Sequence, residues 1–376
     1  MAYTLDKLPL ETLIGPVARA TEVLVRLDER VARSPVRDGF VERQHFADAT
    51  SALWLEGELV HLEDLVLHDA HMDIRTPTHE LTRAHAVLRT RRRIFAQKPD
   101  WALSRDGLLA LTGRGGAMPA AGQKSRDGEG AGTASVEADD RDDAEADRLA
   151  EEFAEIDAVL ARSSKILSGA DVPVKAARPD DRPEPQNGLI YDLDWNEEGR
   201  LAEWQAVLAA TREWPSVLRA TILLEAWSDI EVLQHATWLG PLLVAALLRQ
   251  EGLAAHHLAC IHLGAKNIPR ERRRARNRGD RLLALLDAIH DAAVAGLKEH
   301  DRLVLAKSQM ERRVKQRRAS SKLPDLVELV LSRPLVSTGI IQERLKVTKQ
   351  GALNLIGELG LREMTGRGRF RAWGIV

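Results

Sequence analysis

Three apolar runs with helical spacing lie close together near the C-terminal end of the chain, and they limit the fold more tightly than any other feature. They occupy residues 323–331, 336–345 and 348–359. In each run, apolar side chains recur every three or four residues, which predicts a short amphipathic helix. Pro324 can open the first helix, Ser337 or Thr338 can cap the second, and Thr348 can cap the third. We therefore predict three short helices joined by tight turns, the third ending at Gly360.

Residues 361–375 follow the third helix with a different pattern. Two short runs flank a turn at residues 365–368, which contains two glycines. This arrangement predicts a two-stranded antiparallel hairpin with a basic tip. Three helices followed by such a hairpin are typical of a winged helix-turn-helix domain.

The residue types in this segment suit duplex DNA. A helix of this length can enter the major groove, where its first turn meets base edges. We predict that Lys349, Gln350 and Asn354 contact bases and that Thr348 lies at the same surface. The hairpin and the residue before it supply arginines for phosphate or minor-groove contacts. These are Arg362, Arg367, Arg369 and Arg371.

The charge distribution agrees with a nucleic-acid partner. Residues 311–376 hold 14 Lys or Arg against 6 Asp or Glu, whereas the whole chain has a formal net charge of −2. This asymmetry favours double-stranded DNA as the partner of the C-terminal third. The alternative is a winged helix that serves as a dimerisation or protein-docking module.

The rest of the chain is predicted to be mainly α-helical, with ample core for two or three domains in 376 residues. We place an N-terminal helical region at residues 1–112, a linker at 113–187, a helical core at 188–320 and the winged helix at 321–376. Helices are expected at residues 13–33, 44–68 and 80–95, and then at 199–211, 216–230, 241–249, 281–297 and 300–318. The arginines of residues 89–93 are interpreted as a solvated helix end.

The linker differs sharply from its surroundings. Residues 113–135 are rich in Gly, Ala and Ser, and residues 139–147 are strongly acidic. This composition predicts a partly disordered acidic linker, with one helix at residues 144–167. The charge raises the hypothesis that the acidic run folds back onto the basic C-terminal third.

Composition narrows the compartment and the chemistry. The single cysteine, Cys260, permits no internal disulfide, which favours a reducing cytoplasm. We find neither a signal peptide nor a membrane-spanning run, so a cytoplasmic, nucleoid-associated protein is predicted. His257 and His262 flank Cys260 without a further ligand at metal-binding distance in the sequence. We predict no metal, no cofactor and no catalytic residue.

A second basic stretch, residues 270–281, precedes the last long helical segment, which itself ends in the basic residues 312–318. Such helices beside a winged helix can add phosphate contacts, or they can form a solvated face. The sequence leaves both interpretations open.

The second half of the chain resembles the Fic (filamentation-induced-by-cAMP) family, in which a His-Pro-Phe-x-x-Gly-Asn-Gly-Arg loop leads into an apolar helix. Here residues 235–242 (His-Ala-Thr-Trp-Leu-Gly-Pro-Leu) stand in that place, and residues 51–57 are similar to the family's inhibitory helix. The Gly-Asn-Gly-Arg portion that holds nucleotide phosphates is absent, and His235 alone remains of the catalytic set. The resemblance implies a degenerate nucleotidyltransferase core.

The whole chain more closely resembles an alphaproteobacterial, often plasmid-borne family. Its members join a helical domain of unknown function to a C-terminal helix-turn-helix DNA-binding domain. Residues 51–58 (Ser-Ala-Leu-Trp-Leu-Glu-Gly-Glu) and residues 365–373 carry this resemblance. It implies DNA binding and no known reaction.

We therefore interpret the chain as a DNA-binding protein and transcriptional regulator that is not an enzyme, with a helical body that dimerises or senses a signal. A degenerate Fic-type nucleotidyltransferase and a protein-docking winged helix are the alternatives.

Overall fold

The computed structural model describes residues 3–6, 8–72, 76–113, 195–315, 322–365 and 371–375. Contacts divide the chain into one unit, residues 1–117 with 194–376, and a second, residues 118–193, which lies outside the described residues. The linker predicted beyond Gly113, with its acidic run and its helix, therefore also lies outside them.

The N-terminal region is helical, as predicted. Its helices are α1 (Leu10–Ala32), α2 (Arg37–Glu56), α3 (Leu62–Asp69), α4 (His79–Ala96) and α5 (Arg105–Leu111), with a 3₁₀ turn at Trp101–Leu103. Thr78 caps α4 by accepting a hydrogen bond from the Leu81 backbone N–H at 3.3 Å. The single helix predicted over residues 44–68 is wrong. Gly57 adopts a left-handed conformation, with φ of 93°, and ends α2 there, because glycine meets no Cβ clash in that region.

The second helical region begins after residue 194. Its helices are α6 (Glu197–Ala210), α7 (Ser216–Ile230), α8 (Leu239–Gln250), α9 (Ile261–Lys266), α10 (Arg270–Arg273) and α11 (Arg278–Val314). Trp204 and Trp227 meet edge to face in the core, with ring centroids 5.4 Å apart. A Cβ on Gly240 of α8 would lie 2.3 Å from the Trp227 ring, so α8 approaches α7 closely only because residue 240 is glycine.

Helix α11 is the longest in the described chain, with 37 residues. It packs against α1, α7, α9 and α12, the first helix of the C-terminal region defined below. The prediction of two helices, at residues 281–297 and 300–318, is wrong. No Gly or Pro interrupts residues 297–300, and the buried stripe continues across them through Gly296, His300 and Leu303. Burial of this stripe therefore favours one continuous helix.

The C-terminal region contains the three predicted helices and a small sheet. Its elements are α12 (Leu323–Ser332), β1 (Val336–Ser337), α13 (Thr338–Leu345), α14 (Lys349–Leu359), β2 (Arg362–Glu363) and β3 (Ala372–Gly374). The strand order is β1-β3-β2, and both pairings are antiparallel. Val336 and Ser337 were expected to begin the second helix. They form instead a short strand that pairs with Trp373 and Ala372, which buries Val336 completely.

The C-terminal region is held against the N-terminal helices by close backbone packing. A Cβ on Gly39 of α2 would lie 2.0 Å from the carbonyl oxygen of Leu331 in α12. One turn later, the buried Arg43 donates to the carbonyl oxygen of Val330 at 2.7 Å and to that of Pro334 at 3.4 Å. The end of α12 thus finds acceptor partners on α2 rather than in water.

Helix α11 supplies three further cationic contacts to the same region. Arg302 donates to the Ile375 carbonyl oxygen at 2.6 Å, and Arg313 donates to that of Leu359 at 2.5 Å. Lys307 lies 2.7 Å from the carboxylate of Glu328. The ends of α12, α14 and β3 are therefore all attached to the helical body by side chains of α2 and α11.

The interpretation of the arginines of residues 89–93 as a solvated helix end holds for Arg93, which is exposed in the last turn of α4, but it is wrong for Arg91. Arg91 is fully buried, donates to the equally buried Asp48, and donates to the Leu258 carbonyl oxygen at 3.1 Å. The His262 ring lies 2.9 Å from the same carboxylate. Burial raises the pKa of the Cys260 thiol beside this cluster, so the chain's single cysteine is a protonated core residue. The cluster joins α2, α4 and α9 through charges that have no access to water.

Candidate nucleic-acid interface

A side-chain cap begins each of the helices α13 and α14, and a left-handed residue separates them. Ser337 Oγ accepts from the Ile340 backbone N–H at 3.2 Å, and Thr348 Oγ1 accepts from that of Gly351 at 3.2 Å. Lys346 lies between the helices in the left-handed region, with φ of 53°, and ends α13. Both predicted caps are confirmed, as is the end of α14 at Gly360.

The first turn of α14 faces solvent. Thr348, Lys349, Gln350 and Asn354 are all exposed. Gln350 Nε2 donates to Asn354 Oδ1 at 3.0 Å, which aligns two carboxamides one helical turn apart. Asn and Gln side chains form bidentate hydrogen bonds with adenine in the major groove, and a cation can pair with phosphate or guanine. The predicted base-contacting residues therefore share one exposed helical surface.

The opposite face of α14 is anchored in the core. Ala352, Ile356 and Leu359 are buried. Leu353 and Leu355 are half-buried. They flank the buried stripe, so their apolar side chains cover its edges.

The hairpin residues differ from one another in how available they are. Arg362 of β2 is exposed. Arg371 is also exposed, but its Nε donates to Glu363 at 2.8 Å and its guanidinium lies 5.4 Å from the centre of the Trp373 ring. The hydrogen bonds and charge of Glu363 raise the pKa of Arg371. Arg367 and Arg369, at the expected tip, lie outside the described residues.

Two cations beside the turn escaped the sequence prediction. Arg344 at the end of α13 and Lys346 in the turn are both exposed. They stand within five residues of Lys349, the first residue of α14. Turns that precede a groove-binding helix commonly meet phosphates. Their position beside the predicted turn was the signal that could have identified them.

The two segments that carried the Fic resemblance are brought together in space. Thr237 Oγ1 donates to the carboxylate of Glu56 at 2.5 Å, and Glu56 also pairs with Arg83. His235 is exposed just before α8. This contact ties the end of α2 to the segment before α8.

Within the described residues, no group of three or more His, Cys, Asp or Glu side chains is arranged to hold a metal ion. Across the same ranges, no helix combines the length and the apolar character that a bilayer span requires.

The fold and this exposed surface define a mainly helical protein with a C-terminal helix-turn-helix domain. Comparison with known families agrees. Residues 323–376 match the family described as HTH DNA binding domain, and residues 189–315 match the family described as Protein of unknown function (DUF1612).

The whole chain also has a full-length relative. It is 51% identical over 382 residues to the Uncharacterized protein y4cF of Sinorhizobium fredii (strain NBRC 101917 / NGR234), with 100% of both chains covered. The chain belongs to the family of this protein. The predicted joining of a domain of unknown function to a C-terminal helix-turn-helix DNA-binding domain is thus confirmed.

Proposed function

We propose that the protein is a transcriptional regulator that reads double-stranded DNA with α14. The exposed first turn of α14, with Lys349 beside the paired carboxamides of Gln350 and Asn354, carries this proposal. It lies in the segment that matches a DNA-binding domain. The groove-facing turn holds donors, acceptors and a cation but no carboxylate, which suits base edges and phosphates.

The hairpin completes the proposed interface as a wing. Arg362, Arg367, Arg369 and Arg371 would pair with phosphates and position the domain without reading sequence. Arg344 and Lys346 would add contacts at the other side of α14. We also propose that the protein binds DNA as a homodimer. Its two-fold symmetry would then place two half-sites about 34 Å apart on the duplex.

The proposal separates base-reading residues from phosphate-binding residues, and the experiment uses that division. DNA from the protein's own upstream region and a random duplex are titrated at two salt concentrations, by fluorescence anisotropy. The double variant Gln350→Ala/Asn354→Ala should lose most of its preference for its own region, roughly 1–3 kcal/mol for each base contact. Arg367→Ala/Arg369→Ala should weaken binding to both duplexes alike and reduce the salt slope by about 2.

Glu358→Gln is the matched control, because Glu358 is exposed in the last turn of the same helix. It should leave the preference between the two duplexes unchanged. Equal affinities of the wild-type protein and the Gln350→Ala/Asn354→Ala variant for the upstream region would refute base reading by α14. Absence of binding to either duplex would favour the protein-docking alternative.

A further inference from the structure

A dense basic surface lies between α9 and the start of α11, and the helix-turn-helix domain does not include it. Residues 266–276 contain six Lys or Arg and one acidic residue, Glu271. Five of these cations are exposed. They are Lys266, Arg270, Arg272, Arg274 and Arg276. We call residues 266–276 the α10 basic surface.

Among the residues that the structure describes, most of this charge has no carboxylate partner. Arg272 pairs with Asp287 at 2.8 Å, and Lys266 lies over the Trp54 ring at 5.3 Å. Within the described residues, Arg270, Arg274 and Arg276 have no ion pair within 4.0 Å. The half-buried Arg273 donates to the Ile268 carbonyl oxygen at 3.0 Å. Its pKa is lowered by burial and by the neighbouring charges of Arg274 and Arg270, a sign of concentrated positive potential.

Several arginines elsewhere in the helical body do have carboxylate partners. Arg278 and Arg281 both pair with the buried Glu225, although they lie only a few residues beyond this surface. Arg30 pairs with Asp301, and Arg219 with Glu251. Within the described residues, these four arginines have carboxylate partners, whereas three neighbouring ones at α10 have none. Guanidinium groups placed this way fit phosphate oxygens well.

Helix α11 sets the distance between this surface and the proposed DNA interface. The α10 basic surface is attached near the start of α11. Arg281 donates to the carbonyl oxygens of Ala275 and Arg276, and Asp287 pairs with Arg272. Arg313, near the end of α11, holds the C-terminus of α14. At 1.5 Å per residue, the two attachment points are about 40 to 50 Å apart along α11. One segment of the groove therefore cannot contact both the α10 basic surface and α14. A duplex of about 15 base pairs is long enough to reach from one to the other.

We infer that the α10 basic surface is a second, sequence-independent contact to the phosphate backbone of the DNA that the helix-turn-helix domain binds. The inference rests on the proposed DNA-binding function. When α14 has bound DNA, the rest of the duplex is held close to the helical body. The effective concentration of phosphates at the α10 basic surface is then high, so a few contacts there can strengthen binding. The footprint would then exceed what one helix-turn-helix domain covers.

The test compares DNA lengths. The full-length variant Arg270→Gln/Arg274→Gln/Arg276→Gln is titrated against a hairpin-capped 10-base-pair duplex, about 34 Å long, and against a 42-base-pair duplex. On the long duplex we expect affinity to fall roughly tenfold and the salt slope to decrease by about 2 to 3. On the short duplex we expect agreement with the wild-type protein within about twofold, since that duplex cannot reach both surfaces.

Arg19→Gln/Arg26→Gln/Arg33→Gln is the matched control. It removes three exposed arginines, two in α1 and one directly after it, and changes the net charge equally. It should behave like the wild-type protein on both duplexes. Wild-type affinity and slope of the α10 variant on the long duplex would overturn the inference. So would an equal loss on both lengths, because the loss would then not depend on reaching further along the DNA.

A third variant keeps the two proposals distinguishable. Lys349→Ala/Gln350→Ala should lose affinity for both lengths if α14 binds DNA. If the Lys349→Ala/Gln350→Ala variant loses affinity and the α10 variant keeps wild-type affinity for the long duplex, the inference fails while the proposed function stands. If the wild-type protein binds neither duplex, both fail.

Discussion

Asp28 shows how one residue can attach a distant loop to the body. Its carboxylate on α1 accepts from the backbone N–H of His256 at 2.8 Å and lies 2.9 Å and 3.1 Å from the Nδ1 atoms of His256 and His257. The carboxylate is largely shielded from water. Burial alone would raise its pKa, but the hydrogen bonds from His257 and His256 outweigh burial and hold the pKa at about 2, below the usual 3.8.

A lowered pKa predicts a definite loss of stability in acid. The ionised Asp28 stabilises the fold fully above pH 3.8, and this contribution disappears as the pH falls towards about 2. Asp28→Asn should therefore be less stable than the wild-type protein at neutral pH, with a difference that closes between about pH 4 and pH 2. Urea midpoints measured across that range test it. Asp106→Asn, at an exposed carboxylate, is the control, and a difference for Asp28→Asn that does not vary with pH would contradict the assignment.

At the scale of elements, the contact between α2 and α12 depends on a residue that helix propensity disfavours. Gly39 costs α2 helical stability relative to alanine. The backbones of α2 and α12 approach so closely there that a Cβ at residue 39 would lie 2.0 Å from the Leu331 carbonyl oxygen. Arg43 then caps the end of α12 from the same face of α2. Glycine at this position therefore serves the packing of the C-terminal region on the body.

Two glycine-to-alanine variants should consequently change the free energy of unfolding in opposite directions. Gly357→Ala in α14, where a Cβ would meet nothing within 4 Å, should stabilise the protein by about 0.5 to 1 kcal/mol. Gly39→Ala should destabilise it by roughly 1 to 3 kcal/mol, because the clash involves backbone that cannot move cheaply. Urea unfolding gives both values. Stabilisation by Gly39→Ala would show that α2 and α12 do not pack this closely.

At the scale of the described molecule, α11 connects the body to the helix-turn-helix domain without a break. It packs on α1, α9 and α12. Its contacts with α1 reach Gly296, which lies against Leu27, and Asp301, which pairs with Arg30. Apolar residues of the N-terminal helices, the central helices and the C-terminal region belong to one hydrophobic cluster. A shared core of this kind favours cooperative unfolding over independent opening of one part.

A break in α11 should therefore affect both ends. Lys298 is exposed near the middle of α11. Lys298→Pro removes a helical hydrogen bond and should cost about 3 kcal/mol or more, whereas Lys298→Ala should be nearly neutral. Hydrogen exchange should show α7 and α14 losing protection together in the proline variant. Loss confined to α12–α14 would mean that the helix-turn-helix domain is a separate folding unit.

Features that depend on interactions between residues close together in the sequence could be predicted, and features that depend on distant residues could not. The caps at Ser337 and Thr348 and the stop at Gly360 were predicted, since each depends on residues within one or two turns. The strand at Val336 was missed because its partner is Trp373, far along the chain. The burial of Arg91 was missed for the same reason, since Asp48 and Leu258 come from other elements.

The sequence by itself determined the helical class, most helix positions and the exposed residues of α14's first turn, because periodicity and capping act locally. It left open whether residues 270–281 lie beside the helix-turn-helix domain. The tertiary structure decided that point, since unbroken burial along α11 places α10 at one end and α14 at the other. It also decided which arginines are neutralised. A cation's partner is chosen by packing between helices, and no local pattern in the chain encodes that choice.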